Sequence, residues 1–331
     1  MLLPMVLKAR MGYNEKKIAM GGTRMGISPH KLATALGLRT ISTAGKETAE
    51  SIDQADLCRP GLQFAGYFDV FAFERPQVIG KTEMAYLGSL PPNVLDERLT
   101  RYFSYHIPCI IIARSMQCPP ALLEQAQEND VPVYGADEET SIFSAKAITF
   151  LSEALAPRQT CHGVLMDVYG VGLMITGESG VGKSECALEL IKHGHQLVTD
   201  DVVDISRVGR TLYGESPEMV RDFIELRGIG IVDVKEIFGI GAIVRRIRID
   251  LVINLETWHE GKDYDRLGNR ERTMDILGVP LPLIEVPVRP GRSLSTIVEI
   301  AARNWRLKAE GYDAVVELDR RLAQHYGRMN E

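Results

Sequence analysis

The stretch "GESGVGKS", residues 177–184, decides how the second half of this chain is read. Gly177, Gly182, Lys183 and Ser184 fill the fixed places of the pattern G-x-x-x-x-G-K-[ST]. Backbone N–H groups curl around phosphate oxygens only where side chains leave room, so glycines suit such a turn. A lysine in that place reaches the terminal phosphates, and the following hydroxyl ligates a magnesium ion. Chance produces the pattern in about one chain of this length in a hundred. The flanks agree with it. "VGLMIT" before the loop is apolar and β-prone, "SECALELIKHG" after it carries apolar residues at helical spacing, and Gly194 stands where a helix would stop. The expected element is strand, phosphate loop, helix, with Gly177, Glu178, Ser179, Gly180, Val181, Gly182, Lys183 and Ser184 around the phosphates of a nucleotide.

Outward from the loop, the chain has 331 residues, 45% hydrophobic and 25% charged, enough for two soluble domains. A formal charge of −6 without long basic runs gives no general attraction to nucleic acid or an anionic membrane. Five scattered cysteines with no C-x-x-C pair argue against a disulfide framework or a zinc site and fit a reducing cytoplasm. "MLLPMVL" at the start is too short for a signal peptide's apolar core, and no apolar run reaches membrane-spanning length.

Three segments follow from pattern. Residues 1–24 have no sustained period and are expected to be an unstructured extension, with the folded protein beginning near Met25. Residues 25–156 read as an α/β domain. "ISPHKLATALGL" is a helix capped by Ser28, "HIPCIIIAR" a buried strand, "PPALLEQAQEND" a helix opened by proline, "VPVYG" a strand, and "EETSIFSAKAITFLSEALA" a long helix. The aromatic-rich residues 59–83 are either a partner surface or loops over a core. "APRQT", 156–160, reads as a linker. Residues 157–331 carry the phosphate loop and end in two helices, "SLSTIVEIAARNWRLKAEG" and "YDAVVELDRRLAQHYG". The strands expected there are "HGVLMDVYG", "VGLMIT", "HQLVTDDVVDIS", "RTLYG", "GIGIVDV", "IDLVINLE" and "PLIEVPV".

Candidate chemistry gathers after the loop. Asp200 and Asp201 end the apolar "HQLVT", where a carboxylate serves as metal partner or catalytic base. "IELRGIGIVDV" read as one extended segment puts Glu225 and Arg227 on one face, and Glu225 there is either a magnesium ligand or part of a solvated edge. Arg266 in "DYDRLGNRE" is a transition-state cation or a surface turn residue. Arg289 and Arg292 flank a Pro-Gly turn at a helix start, a combination that suits an anion. Thr296 and Glu299 have the spacing of a capping box. His162 is a general acid or base, or a strand-end histidine; pattern does not choose.

Taken together and in order, "HGVLMDVYGVGLMITGESGVGKSECALELIKHGHQLVTDD", "IELRGIGIVDV", "YDRLG" and "PVRPGR" resemble the bacterial HPr kinase/phosphorylase family. "RPGLQFAGYFDVF" and "QVIGKTE" resemble its N-terminal domain. The resemblance implies an α/β N-terminal domain, a P-loop catalytic domain similar to phosphoenolpyruvate carboxykinase with C-terminal helices, and a homohexamer. It implies ATP-dependent phosphorylation of a serine of HPr, the phosphocarrier of the sugar phosphotransferase system, and reversal on phospho-HPr by inorganic phosphate. By the same resemblance His162, Lys183, Asp201 and Arg266 are the catalytic set and Ser184 with Glu225 holds Mg²⁺. Pro287, Val288, Arg289, Pro290, Gly291 and Arg292 then form a loop for dephosphorylation. A small-metabolite kinase and a non-catalytic nucleotide sensor are the competing readings. N-K-x-D, H-R-D and D-F-G are absent, which excludes GTPase switches and eukaryotic-type protein kinases.

Overall fold

The computed structural model describes residues 26–43, 51–262, 264–265, 272–289 and 291–329, with side chains up to His325. The expected extension 1–24 lies outside the described residues. The chain divides into two compact units between Ala156 and Pro157.

In the first unit, helix α1 (Pro29–Leu36) begins where Ser28 Oγ accepts the N–H of Lys31 at 3.2 Å and stops at Gly37, whose φ of 66° suits glycine. Strand β1 (Arg39–Ser42) follows, then a single helical turn α2 (Gly61–Phe64), strand β2 (Gln77–Ile79), helices α3 (Lys81–Ser89) and α4 (Pro92–Phe103), strand β3 (Ile110–Ile112), helix α5 (Pro120–Glu128), strand β4 (Val133–Gly135) and helix α6 (Thr140–Ala154). The sheet order is β1-β4-β3-β2, with β4, β3 and β2 parallel and β1 antiparallel at one edge. Helices cover both faces of the parallel strands, so Ile110, Ile111 and Ile112 are all buried and the strand reads as a continuous apolar run. The aromatic segment 59–83 turns inward: Phe64 and Phe68 are buried, Phe64 lies 5.1 Å from the Tyr102 ring, and Phe68 stacks on Tyr105. These rings cover a core.

The second unit contains strands β5 (Arg158–His162), β6 (Val164–Val168) and β7 (Val171–Gly177), helix α7 (Lys183–Lys192), and strands β8 (Gln196–Thr199), β9 (Val202–Val208) and β10 (Thr211–Glu215). Strands β11 (Phe223–Leu226) and β12 (Gly230–Asp233), the short helix α8 (Val234–Phe238), and strands β13 (Arg246–Arg248), β14 (Leu251–Thr257), β15 (Thr273–Ile276) and β16 (Val279–Val288) follow. Helices α9 (Leu294–Ala309) and α10 (Ala314–Met329) close the chain. A six-stranded sheet runs β15-β16-β14-β7-β6-β8, its strands β16, β14 and β7 parallel. A four-stranded antiparallel sheet runs β13-β10-β9-β5. One core fills the space between the larger sheet and α7 and α9; a second includes Leu165, Met174, Val203, Ile205 and Leu212, from both sheets.

Four expectations change. "APRQT" is not a linker throughout, because Arg158–His162 pairs with β9 as an edge strand whose polar residues face solvent. "HQLVTDDVVDIS" is two strands in two different sheets, broken where Asp201 takes a φ of 68°. "IELRGIGIVDV" is not one extended segment but a hairpin, with Leu226 opposite Gly230 and Arg227 in the turn. The box from Thr296 to Glu299 is not formed: Ser293 Oγ caps α9, and Glu299 is engaged elsewhere by His195 and Tyr169.

Candidate active site

Strands β7, β14 and β16 point the same way, and Leu255 pairs with Gly177 as Thr257 pairs with Val288. Their C-terminal ends therefore form one edge, the place where open α/β sheets bind ligands. The phosphate loop leaves β7 on this edge. Gly177 has a φ of 139°, and a Cβ there would collide with the carbonyl of Leu255. Gly180 and Gly182 take φ of 85° and 104°, conformations that favour glycine. Gly182 caps α7 with no side-chain acceptor, so the first N–H groups of the helix open toward the loop. The Lys183 ammonium donates to the carbonyls of Gly177 and Glu178, each at 2.9 Å. That places a positive charge in the mouth of the loop.

Behind the loop stands a carboxylate pair. Asp200 is 4% exposed; it accepts from Ser184 Oγ at 3.0 Å and from the Glu225 N–H at 3.1 Å. Burial pushes its carboxyl pKa up to about 6, against the pull of those two hydrogen bonds. Asp201 follows in the same turn, with a φ of 68°. Its Oδ2 is buried with no hydrogen-bond partner among the described residues. His162 sits beside it, Nδ1 being 3.3 Å from the Asp201 carbonyl and 3.9 Å from Oδ1. Gly163 fixes this approach by donating its N–H to the same carbonyl at 3.1 Å.

The hairpin β11–β12 forms another wall. Ile224 and Leu226 face the core, which turns Glu225 to the opposite face. Arg227, in the turn, lies over the loop: a Cβ added to Gly180 would meet its guanidinium at 2.6 Å. At the end of β16, Arg289 stacks its guanidinium 3.1 Å above the Trp258 ring, and Trp258 in turn stacks on Tyr264 at 4.6 Å. Gly291, with φ of 79°, turns the chain, and the Arg292 N–H returns to the Arg289 carbonyl at 3.3 Å. Arg266 and Pro290 lie outside the described residues.

Thus Gly177–Ser184, Asp201, His162 and Glu225 are brought to one edge, along with Pro287 and Val288 at the end of β16. Pattern reading placed Asp200 near the loop but did not single it out as the carboxylate that holds Ser184. It missed Arg227 as a loop contact, since that depends on the hairpin. It also missed Glu256 and Glu285, which share Lys262 at 2.7 and 3.4 Å on the same edge. Nothing in "NLE" or "LIEV" beyond a polar residue inside an apolar strand marks that pair.

The oxygen-rich set of Ser184, Asp200 and Glu225 suits a hard divalent cation. Asp200 carries its carboxylate in a buried place without a cationic partner among the described residues, a charge that a metal ion would neutralise. Among the described residues no group of three or more His, Cys, Asp or Glu is placed to hold a metal alone. Magnesium typically takes one or two carboxylates and completes its shell with substrate phosphates and water.

Comparisons with known proteins bear on the whole chain. The family model described as HPr Serine kinase N terminus matches residues 27–151, and that described as HPr Serine kinase C-terminal domain matches 153–322. A protein of Thermoanaerobacter sp. (strain X514) named HPr kinase/phosphorylase is 47% identical over 293 residues, covering 88% of this chain and 96% of that one. One of the same name from Caldanaerobacter subterraneus subsp. tengcongensis is 45% identical over 302 residues, covering 91% and 99%. A solved Hpr(Ser) kinase/phosphatase from Coxiella burnetii is 40% identical, covers 48% of this chain and 98% of its own, and superposes with a TM-score of 0.44.

Proposed function

This chain belongs to the HPr serine kinase family, and from that premise we infer how its site works. The protein is a bifunctional kinase/phosphorylase: it phosphorylates a serine of HPr with ATP and reverses the reaction by phosphorolysis. The observation that carries the residue assignment is the placing of Lys183, Ser184, Asp200, Asp201 and His162 around one glycine loop.

In the forward direction Gly177–Ser184 hold the ATP phosphates on backbone N–H groups, and Lys183 turns from its two loop carbonyls to the β/γ oxygens. Ser184 and Glu225, with Asp200 behind Ser184, would hold Mg²⁺, which would neutralise the charge spread over the transferring group. Serine is a weak nucleophile, so the partly exposed Asp201 carboxylate accepts its proton, an effect worth about 10²–10⁴-fold. His162 orients the Asp201 turn, and Arg266 adds a cation. In reverse, inorganic phosphate sits in the loop and its oxygen attacks the phosphorus of phosphoserine. The seryl oxygen leaves with the proton that Asp201 returns, and pyrophosphate is the second product. Residues 287–292 serve this direction.

Three wider readings complete the proposal. The catalytic unit is similar to phosphoenolpyruvate carboxykinase, on the strength of the P-loop at the parallel edge of a mixed sheet. The assembly is a homohexamer, supported by the exposed Val316, Leu318 and Leu322 of α10. The protein works in the cytoplasm, a reading supported by five cysteines free of disulfides; among the described residues no helix is long and apolar enough to cross a membrane. Incubation with Mg²⁺, ATP and HPr, read by intact mass, tests the central reading. HPr should gain one phosphoryl group on serine. Transfer to a small metabolite alone, or nucleotide binding without transfer, would overturn it.

A further inference from the structure

We propose that the outer face of the β11–β12 hairpin is the docking surface for the protein substrate, gripping an apolar patch beside HPr's phosphorylated serine. The inference rests on the kinase/phosphorylase reading above and extends it from the reacting atoms to the recognition of the partner.

The hairpin's two faces differ in what they touch. Ile224 and Leu226 are buried and, with Val232, pack into the core against α7. The opposite face exposes Phe223 at 36% and Ile231 at 53%, and the turn joining the two strands exposes Ile229 at 75%. Scattered single apolar residues on a surface need no explanation, but three on one short ribbon do. The ribbon is a two-stranded sheet of its own, with no third strand paired to it among the described residues.

Its location supplies the explanation. Ile231 stands directly opposite Glu225 in the ladder, a spacing at which side chains touch. The Glu225 N–H holds Asp200, and Arg227 in the same turn lies over Gly180 of the phosphate loop. The exposed isoleucines are thus on the rim of the phosphate site. Neither triphosphate nor magnesium has use for apolar side chains. A folded protein does: to bring one serine hydroxyl within hydrogen-bond reach of Asp201, it must lay the surface around that serine across this rim. A second copy of this chain seated there would instead close the route by which that serine enters.

Desolvating one or two isoleucines against an apolar partner surface changes affinity by about tenfold or more. The test compares the protein with Ile229→Ser and Ile231→Thr, separately and together; both replacements suit an exposed turn and strand. KM for HPr should rise about tenfold or more in the double variant, and KM for phospho-HPr in the reverse reaction should rise with it. The kcat, the affinity for ATP, the melting temperature and the oligomer size by light scattering should stay unchanged. An unchanged KM for HPr would overturn the proposal, and so would a loss accompanied by a smaller oligomer, which would make the face a contact between copies. The wild-type protein in the same assay tests the underlying reading separately, since that reading fails only if wild-type transfers nothing to HPr.

Discussion

The two units each contain a parallel strand that ends at or just before a glycine and leads to a helix beginning Lys-(Thr/Ser)-Glu, yet only one has the loop of a phosphate site. In the first unit β2 passes through Gly80 straight into Lys81–Thr82–Glu83, and in the second β7 reaches Lys183–Ser184–Glu185 only after the loop 177–182. Without the loop, the start of α3 is filled from within. Glu83, 6% exposed, accepts the Gly80 N–H at 3.0 Å, and Arg59 neutralises it at 2.9 Å. With the loop, the start of α7 has no side-chain cap, and its Glu185 is exposed. An anion site at a helix start thus needs an open N-terminus as well as the lysine and hydroxyl.

The strongest way to break this contrast is to remove the two lysines in turn. Lys183→Ala should lower both transfer to HPr and phosphorolysis by at least about 10²–10³-fold, with the melting temperature unchanged. Lys81→Ala should leave both rates at the wild-type level. Comparable losses from both would mean that the first unit contributes to the chemistry.

Asp201→Asn comes next. One carboxyl group takes the proton in one direction and returns it in the other, so both directions should fall together by about 10²–10⁴-fold. Loss of a single direction, followed by paired forward and reverse rates, would hand the other to His162.

A smaller effect is expected at Arg292, exposed at the turn before α9. ATP arrives anchored by the loop and its magnesium along its whole phosphate chain, whereas free phosphate meets the loop with one group only and phosphoserine lacks those anchors. Arg292→Ala should therefore slow dephosphorylation about tenfold more than phosphorylation, a difference of about 1.4 kcal/mol, at unchanged ATP affinity. Equal rate losses would refute the selective role.

The contrast is sharpened from the other side by Glu83→Ala, which should leave transfer untouched. Its cost is structural: about 1–3 kcal/mol for the lost buried cap and its partner, read as a melting transition lowered by about 2–12 °C. A drop in transfer without a drop in stability would contradict the assignment of Glu83 as a cap.

How much of this was legible follows from the same contrast. The loop could be read because its glycines, lysine and serine are fixed in spacing and the apolar strand and periodic helix beside it are local signals. Ser28 as a cap and the buried "CIII" strand could be read for the same reason. The break between β8 and β9 could not. "LVTDDVVDI" is apolar and β-prone on both sides, and the turn comes from a non-glycine residue, Asp201, in a left-handed conformation. The edge strand "RQTCH" has no alternating pattern to find, since four of its five residues are exposed. The hairpin in "IELRGIGIVDV" did carry turn signals in Gly228 and Gly230, but alternation across them favoured one strand. Glu299 has capping-box spacing, yet His195 and Tyr169, more than a hundred residues away, take its carboxylate. Long-range partners of that kind leave no trace in local pattern.

The central claim is that one phosphate loop runs the reaction both ways, and the product of the reverse reaction tests it most directly. Purified phospho-HPr should be incubated with the protein, Mg²⁺ and inorganic phosphate, and the phosphorus-containing product identified by ³¹P nuclear magnetic resonance. The account predicts one pyrophosphate for each HPr released, and no release when phosphate is left out. Release of orthophosphate at the same rate without added phosphate would make water the nucleophile and contradict it.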